Sequence, residues 1–119
     1  MDGLEAYRET AVATQTNGRL IVMLYDGAIR TLRLAATALE AQDWARKGEH
    51  INKAAAIIEE LDVCLDMEAG GEVAFNLRRL YVFMLRHLNQ ANVRRDAGMV
   101  REVIALLEEL NEGWRVVTA

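Results

Sequence analysis

The nitrogen and sulfur side chains that could bind a metal or a haem are few: two histidines, five methionines and one cysteine among 119 residues. Carboxylate-bridged di-iron centres in helical bundles use Glu-x-x-His pairs, because this spacing places a carboxylate and an imidazole on one helix face. Neither His50 nor His87 has a glutamate three positions earlier, and the covalent haem motif C-x-x-C-H does not occur. A non-covalent haem held by His87 with Met23 or Met99 stays open, although a methionine on a helix more often fills a core.

The single cysteine, Cys64, restricts sulfur chemistry, because one cysteine forms neither an internal disulfide nor a C-x-x-C motif. Its neighbours in the apolar pattern are Leu61 and Leu65, so we expect it to be a small buried hydrophobic residue. No Ser/His/Asp or Cys/His arrangement indicates a nucleophile, and no glycine-rich loop follows a strand. These observations favour a protein without catalytic residues, metal or cofactor.

Composition predicts an all-α protein, because the chain lacks proline and 52% of its residues are hydrophobic, mostly Ala and Leu. A net charge of −4 disfavours nucleic-acid binding, which needs a positive field. No run of 18 apolar residues occurs and the N-terminus is polar, so we expect no membrane insertion, no signal peptide and a cytoplasmic location. Five arginines are interpreted as a solvated helix face with a cationic last turn: Arg78, Arg79, Arg86, Arg94 and Arg95.

Apolar spacing divides the chain into an arm and four helices, over residues 1–16 and then about 17–41, 43–67, 72–92 and 96–117. Asp43 and Asp96 are expected to cap the second and fourth helices, and Gly70-Gly71 marks the loop before the third. Short connections make successive helices antiparallel. The predicted fold is an all-α, up-down-up-down antiparallel four-helix bundle over residues 17–119, with a short mobile N-terminal arm. A three-helix core with a swinging fourth helix would show the same pattern.

The helices carry more apolar residues than one core stripe each can bury. The first has an unbroken apolar run over residues 21–25, the third has Phe75 and Val82 off its core positions, and the fourth has Met99 and Leu106 off its main seam. Either the arm and the neighbouring helices cover these side chains, or they form a groove for an amphipathic helix of a partner. Periodicity alone leaves both interpretations open.

Several segments of the chain resemble the FliS family of flagellin export chaperones. They are LEAY (4–7), LYDGA (24–28), KGEHINKAAAIIEEL (47–61), LDMEAGGEVAFNLRRLY (65–81), QANVRRDA (90–97) and LLEELNEGW (106–114). The resemblance covers nearly the whole chain in the family's order. The chain departs from the family at Asn17, where a proline usually follows Thr16, and at Phe75 and Val82, where the family often has polar residues.

The resemblance implies a bacterial cytoplasmic chaperone that binds the C-terminal segment of flagellin and prevents its premature polymerisation. It also implies that the protein helps to present flagellin to the gate of the flagellar type III export apparatus, with no enzyme activity and no cofactor. Leu4 and Tyr7 match arm positions that the family associates with flagellin and the export gate. We expect the arm to lie over the groove when no client is bound, with Tyr7 as its anchor.

Eight residues are the candidates for flagellin binding: Leu4, Tyr7, Ile21, Tyr25, Ile57, Leu61, Met99 and Leu106. Of these, Ile21, Tyr25, Ile57 and Leu61 taken singly fit a core better than a groove. Met99 and Leu106 fit a groove better, because they fall off the main seam. Two other interpretations remain, a helical adaptor or regulator that binds a different amphipathic helix, and a small haem or metal bundle using His50 or His87.

Overall fold

Four helices make up the part of the chain that the computed structural model describes, which is the backbone of residues 3–118 and the side chains of residues 18–118. They are α1 (Gly3–Glu40), α2 (Trp44–Val63), α3 (Met67–Arg94) and α4 (Ala97–Thr118). Each helix packs against the helices before and after it in the chain, and α4 closes the ring against α1. The predicted all-α, up-down-up-down four-helix bundle is confirmed.

Polar contacts between α1 and α4 show that these two helices run antiparallel. Successive partners along α1 take lower and lower numbers on α4: Asp26 with Arg115, Arg33 with Glu108, and Glu40 with Arg101. At one end of this row, Gly18 lies beside Thr118. Exposed ion pairs contribute about 0–1 kcal/mol each, so these pairs define the register more than they stabilise the fold.

Two helix starts agree with the predicted caps. The Asp43 carboxylate accepts a hydrogen bond from the Arg46 backbone N–H at 3.2 Å, and the Asp96 carboxylate accepts one from the Met99 N–H at 3.2 Å. The first helix differs, because α1 begins at Gly3 rather than at Asn17. The side chains of Leu4 and Tyr7 lie outside the described residues, so the role of residues 1–16 as an arm stays a prediction.

The third helix contains a bend at Gly71, where φ is 52° and ψ is −127°. One turn, residues 67–70, precedes the bend, and its start is capped by Asp66, whose carboxylate accepts from the N–H groups of Glu68 at 3.1 Å and Ala69 at 2.9 Å. The predicted start near Glu72 is the start of the regular part of α3. Residues with a Cβ rarely adopt this backbone conformation, which explains why glycine occupies the bend.

Aliphatic and methionine side chains form most of the core between the helices, together with two tyrosines. Its most deeply buried members include Leu32, Ile58, Met84, Leu88 and Leu107. Tyr25 of α1 and Tyr81 of α3 are also buried, and their hydroxyl oxygens form a hydrogen bond at 2.6 Å. This bond joins two helices that lie diagonally across the bundle.

Other polar residues in the family-like segments also join helices. Lys47 is buried on α2, and its ammonium donates to the backbone oxygen of Asn92 at 3.2 Å and to its Oδ1 at 2.7 Å. Asp26 accepts from Asn111 Nδ2 at 2.9 Å and from Arg115 at 2.6 Å. These segments therefore contain residues that hold the scaffold together.

Candidate docking site

An apolar hollow of about 150 Å³ opens at the end of the bundle where α2 connects to α3. All four helices and the α2–α3 connection line it, through Ile21, Leu61, Cys64, Leu65, Asp66, Gly70, Val73, Ala74, Leu77, Tyr81 and Trp114. This set of residues is called the hollow below. Asp66 is the one charged residue in the set, so the hollow offers apolar contacts almost exclusively.

Val73 shows that the hollow is a gap in the core face of α3. It lies eighteen residues before Ala91, which is five full helical turns, so both residues point in the same direction from the helix axis. Ala91 is completely buried between the neighbouring helices, whereas 67% of Val73 is exposed. The core-facing stripe of α3 thus continues into a region where no described side chain covers it.

The local sequence accounts for this gap. α2 ends at Val63, and the chain then passes through Leu65 to the capped turn before the bend at Gly71. The bend interrupts α3 just before Val73. The turn of residues 67–70 therefore has a different axis from the rest of α3 and does not continue its core-facing side. Gly70 presents no side chain to the hollow, and a Cβ there would come within 2.6 Å of the Ala74 Cβ.

Two aromatic residues, Tyr81 and Trp114, form the floor of the hollow, and Tyr25 packs behind them. The ring centroid of Tyr25 lies 6.5 Å from that of Tyr81 and 6.4 Å from that of Trp114, and both pairs are tilted. Burial raises the pKa of the Tyr25 and Tyr81 hydroxyls above the usual range, so both stay neutral at physiological pH. Neutral, mutually bonded hydroxyls make this floor a packing surface with no available acid or base.

The thiol of Cys64 lies at the rim. Burial, and then the negative charge of Glu60, raise the pKa of Cys64, which keeps the thiol protonated. The expectation that Cys64 is buried is wrong, because it occupies the C-cap of α2, where the chain leaves the core, and is exposed. The hollow can therefore bind apolar side chains, and its thiol is not an activated nucleophile.

The histidines lie away from the hollow. His87 Nε2 is 2.5 Å from Glu102 Oε2, and its ring stacks on Phe83 with centroids 5.0 Å apart. Across the described residues, no group of three or more His, Cys, Asp or Glu side chains converges as a metal site would require. His87 is engaged in a contact between α3 and α4.

The structure brings two of the predicted binding residues into the hollow. Leu61 is buried in its wall, and Ile21 is half-buried on the side of α1. Sequence reasoning missed Leu65 and Val73 as lining residues. The sequence contained an indication for Val73. It lies four residues before Leu77, which places it on the core face of α3, and Gly70-Gly71 just before it indicates an interruption of the helix.

The other predicted bundle residues lie elsewhere. Tyr25 is fully buried behind the hollow, which agrees with its core spacing. Met99 is only 9% exposed in the core, so the expectation that it faces a groove is corrected. α4 packs against both α1 and α3, which widens its buried arc beyond one seam and takes in Met99. Ile57 and Leu106 are half-buried and pack against the core outside the hollow.

The predicted apolar surplus is present on the described surface. Met23, Phe75 and Val82 are exposed, together with further residues on all four helices: Leu20, Leu34, Trp44, Val63, Val73, Phe83, Val93, Val116 and Val117. Most of these are scattered singly, as in many proteins. The hollow differs because its apolar residues converge from four helices on one concave site. Within the described part of the chain, none of the helices combines the length and the apolar character needed to cross a membrane.

Comparison with known proteins gives a consistent result. The family model for the flagellar protein FliS matches residues 1–119. The flagellar secretion chaperone FliS of Salmonella typhimurium is 43% identical over 121 residues, covering 98% of this chain and 90% of the relative. The chaperones of the same name from Bacillus subtilis and Escherichia coli are 38% and 37% identical, covering 92% and 95% of this chain and 81% and 87% of their own lengths.

Proposed function

The chain belongs to the FliS family of flagellar secretion chaperones, and from this premise we propose that it binds the C-terminal segment of flagellin. Binding prevents premature polymerisation in the bacterial cytosol and assists delivery of flagellin to the gate of the flagellar type III export apparatus. The protein acts by binding and release, without catalysis and without a cofactor.

The observation that carries this proposal is the uncovered core-facing stripe at Val73 in the hollow. An amphipathic helix of the client places apolar side chains where the described residues leave this end of the bundle uncovered, in the way that helix-in-groove complexes form. The same side chains would otherwise pair with other flagellin copies. Filling the hollow therefore stabilises the complex and masks the client in one step.

The expected affinity is limited by the folding of the client. A segment that is disordered when free loses about 2–5 kcal/mol of the gross interaction free energy when it orders on binding. This loss suits a client that must be released for export. Because the hollow is apolar and has one carboxylate, at Asp66, it selects for amphipathic character more than for specific hydrogen bonds. The same property supports the second candidate function, an adaptor for a different amphipathic helix.

Within the bundle, we assign client contact to Ile21 and Leu61, which line the hollow. Ile57 and Leu106 are half-buried on other flanks, so they contact the client only where it extends beyond the hollow. Leu4 and Tyr7 belong to the segment that precedes Gly18, at the end of the bundle where Ile21 lines the hollow.

The arm is proposed to compete with the client. A continuous α1 places Tyr7 about 21 Å from Ile21 along the helix axis, so a lid requires this segment to fold back. Deleting residues 1–12 should raise the affinity for the flagellin segment and lower the solubility of the empty chaperone. If affinity and solubility are both unchanged, the lid is excluded, whereas the hollow remains testable by itself.

The binding proposal is tested with a matched pair of substitutions on α3. Val73→Asp places a carboxylate in the hollow, and Val93→Asp places one at a site that is 77% exposed, against 67% for Val73, outside the hollow. Titration with the C-terminal segment of flagellin should show about tenfold weaker binding for Val73→Asp and little change for Val93→Asp. Circular dichroism checks that both variants keep their helicity.

Equal affinities of the two variants would reject the hollow as the binding site. Failure of the unmodified chain to bind the flagellin segment, combined with tight binding of another amphipathic helix, would favour the adaptor.

A further inference from the structure

The outward side of α3 has an unusual composition. Both phenylalanines of the chain are on this helix and both are exposed, Phe75 at 55% and Phe83 at 47%, whereas Tyr25 and Tyr81 are buried. The side of a bundle helix that faces solvent is normally polar. Phe75 is exposed in line with Val82, two turns further along the same solvent-facing side, which makes this side a candidate contact surface.

The exposed residues on this side follow a regular pattern. Six of them form a stripe with spacings of four and three residues in alternation, here called the outward stripe: Phe75, Arg79, Val82, Arg86, Asn89 and Val93. All six are exposed, and they lie opposite the core-facing residues of the same helix. Every face of a helix has this spacing, so the composition and exposure of the stripe set it apart, and its geometry permits contact with a second helix along a seam.

The charge of this helix is one-sided. From Val73 to Arg95 the chain has five arginines and no acidic residue. The rest of the protein has nine basic and eighteen acidic residues, so this segment is positively charged in a protein whose net charge is negative. Arg78 pairs with Asp62 of α2. Among the described residues, Arg79 and Arg86 have no carboxylate within ion-pair distance.

We propose that the outward stripe of α3 is a second docking surface, which binds an acidic amphipathic helix of a partner protein. The partner helix places apolar side chains against Phe75 and Val82 and carboxylates against Arg79 and Arg86. The stripe from Phe75 to Val93 is about 27 Å long, which matches a partner helix of about 20 residues. Charge complementarity sets the orientation and speeds association.

The position of the arginines argues for a helix rather than a membrane. On a membrane-binding helix the basic residues flank the apolar face, so that their charges stay in the headgroup region. Here Arg79 lies between Phe75 and Val82 in the stripe itself, so insertion of the apolar side chains would carry a guanidinium with them. A second copy of α3 is also disfavoured, because two such stripes would bring arginines together.

This surface is separate from the hollow and does not rest on the flagellin proposal. The reactivity of Cys64 distinguishes binding in the hollow from binding on the outward stripe, because Cys64 lies at the rim of the hollow and away from the stripe. A helix on the outward stripe leaves the reaction of Cys64 with a thiol reagent unchanged. A helix in the hollow slows that reaction.

The test uses the full chain and a synthetic helical peptide about three heptads long. Along one face of the peptide, leucine and glutamate alternate at spacings of three and four residues. We expect it to bind in fluorescence anisotropy, with affinity that falls as salt is added. The same peptide with lysine in place of glutamate should bind at least tenfold more weakly. Cys64 reactivity should not change on binding.

Paired variants locate the contact. Arg79→Glu with Arg86→Glu should weaken peptide binding at least tenfold, whereas Arg19→Glu with Lys53→Glu, which changes the net charge equally at exposed sites on α1 and α2, should have little effect. Phe75→Ala should weaken binding about threefold or more. Phe83→Ala, which removes an equally large exposed ring outside the stripe, should not.

The proposal is overturned if the acidic peptide does not bind, if the two charge-reversal pairs weaken binding equally, or if the peptide protects Cys64. Binding of the lysine peptide with equal affinity would reduce the surface to a non-specific apolar patch. Tighter binding to anionic vesicles or single-stranded DNA than to the peptide, lost in the Arg79→Glu/Arg86→Glu variant, would assign the surface to that class of partner. Concentration-dependent dimerisation lost in the same variant would assign it to a second copy of the chain.

Discussion

Two tyrosine hydroxyls meet in the middle of an otherwise aliphatic core. The hydrogen bond between Tyr25 and Tyr81 satisfies one polar group of each residue, and it fixes α1 relative to α3, which are not neighbours in the ring. A buried hydroxyl without a partner is unfavourable, whereas a pair that bond each other is tolerated. The pair therefore specifies one alignment of the diagonal helices and supports the floor of the hollow.

The difference between one unpaired buried hydroxyl and a bonded pair gives a prediction for the free energy of unfolding. Tyr81→Phe leaves the Tyr25 hydroxyl buried without its partner and should lower the free energy of unfolding by about 1–3 kcal/mol. The double variant Tyr25→Phe/Tyr81→Phe removes both hydroxyls and should be more stable than Tyr81→Phe alone. Urea unfolding followed by circular dichroism measures both. A double variant that is less stable than the single variant would show that the hydroxyl bond does not act as a matched pair.

Alkaline pH should destabilise the bundle through the same two residues. Burial is the main cause that raises the pKa of Tyr25 and Tyr81 in the folded state, whereas an unfolded tyrosine ionises near pH 10. The folded state thus retains protons that the unfolded state loses, and the stabilisation is complete below about pH 10 and declines above it.

We expect the melting temperature of the protein to stay level between about pH 7 and 9 and to fall above about pH 10. The fall should be smaller in Tyr25→Phe/Tyr81→Phe, which has neither hydroxyl. Thermal unfolding across this pH range checks the prediction, and parallel curves for the two proteins would contradict it.

The bend in α3 shapes the candidate site. Gly71 has a combination of positive φ and negative ψ that residues with a Cβ rarely adopt. The space around it would nevertheless admit a Cβ. Its role is therefore a matter of backbone conformation and not of packing. The bend separates a capped turn from the regular helix, and no side chain of residues 18–118 covers Val73.

A pair of glycine substitutions tests this role. Gly71→Ala should destabilise the protein by about 1–3 kcal/mol, because the required backbone conformation is strained for alanine. Gly48→Ala lies within α2, where space is also free, and should stabilise it by about 0.5–1 kcal/mol. Denaturant unfolding of both variants gives the comparison. Stabilisation by both substitutions would mean that the bend straightens in solution.

Helix positions were predictable where a side chain caps the helix. Asp43 and Asp96 mark the starts of α2 and α4 in the sequence, and both carboxylates accept the capping hydrogen bonds. The turn before Gly71 was not predicted, because its start depends on Asp66 in a segment whose glycines indicate a loop. The burial of Met99 was also not predicted, because a helix with two neighbours buries more than the seam visible in its heptad pattern.

Two parts of the apolar surplus lie on defined surfaces of the molecule, and the rest is scattered over the described surface. The hollow lies at one end, where α2 connects to α3, and the outward stripe lies along the outer side of α3. The sequence indicated an excess of apolar residues and named Ile21 and Leu61. It could not locate the hollow, because the gap depends on where four helices end relative to one another, and this relation arises only from tertiary packing.

The native Cys64, the one cysteine in the chain, lies at the rim of the hollow and gives the most direct measurement of client binding there. Burial and the charge of Glu60 raise the pKa of this thiol, so rates of modification are compared at one fixed pH. Val93→Asp is the control that should behave as the unmodified protein does. Saturating C-terminal flagellin segment should slow modification of Cys64 about tenfold or more in both proteins. An unchanged rate, at concentrations where titration shows the segment to be bound, would place the client outside the hollow and contradict the account.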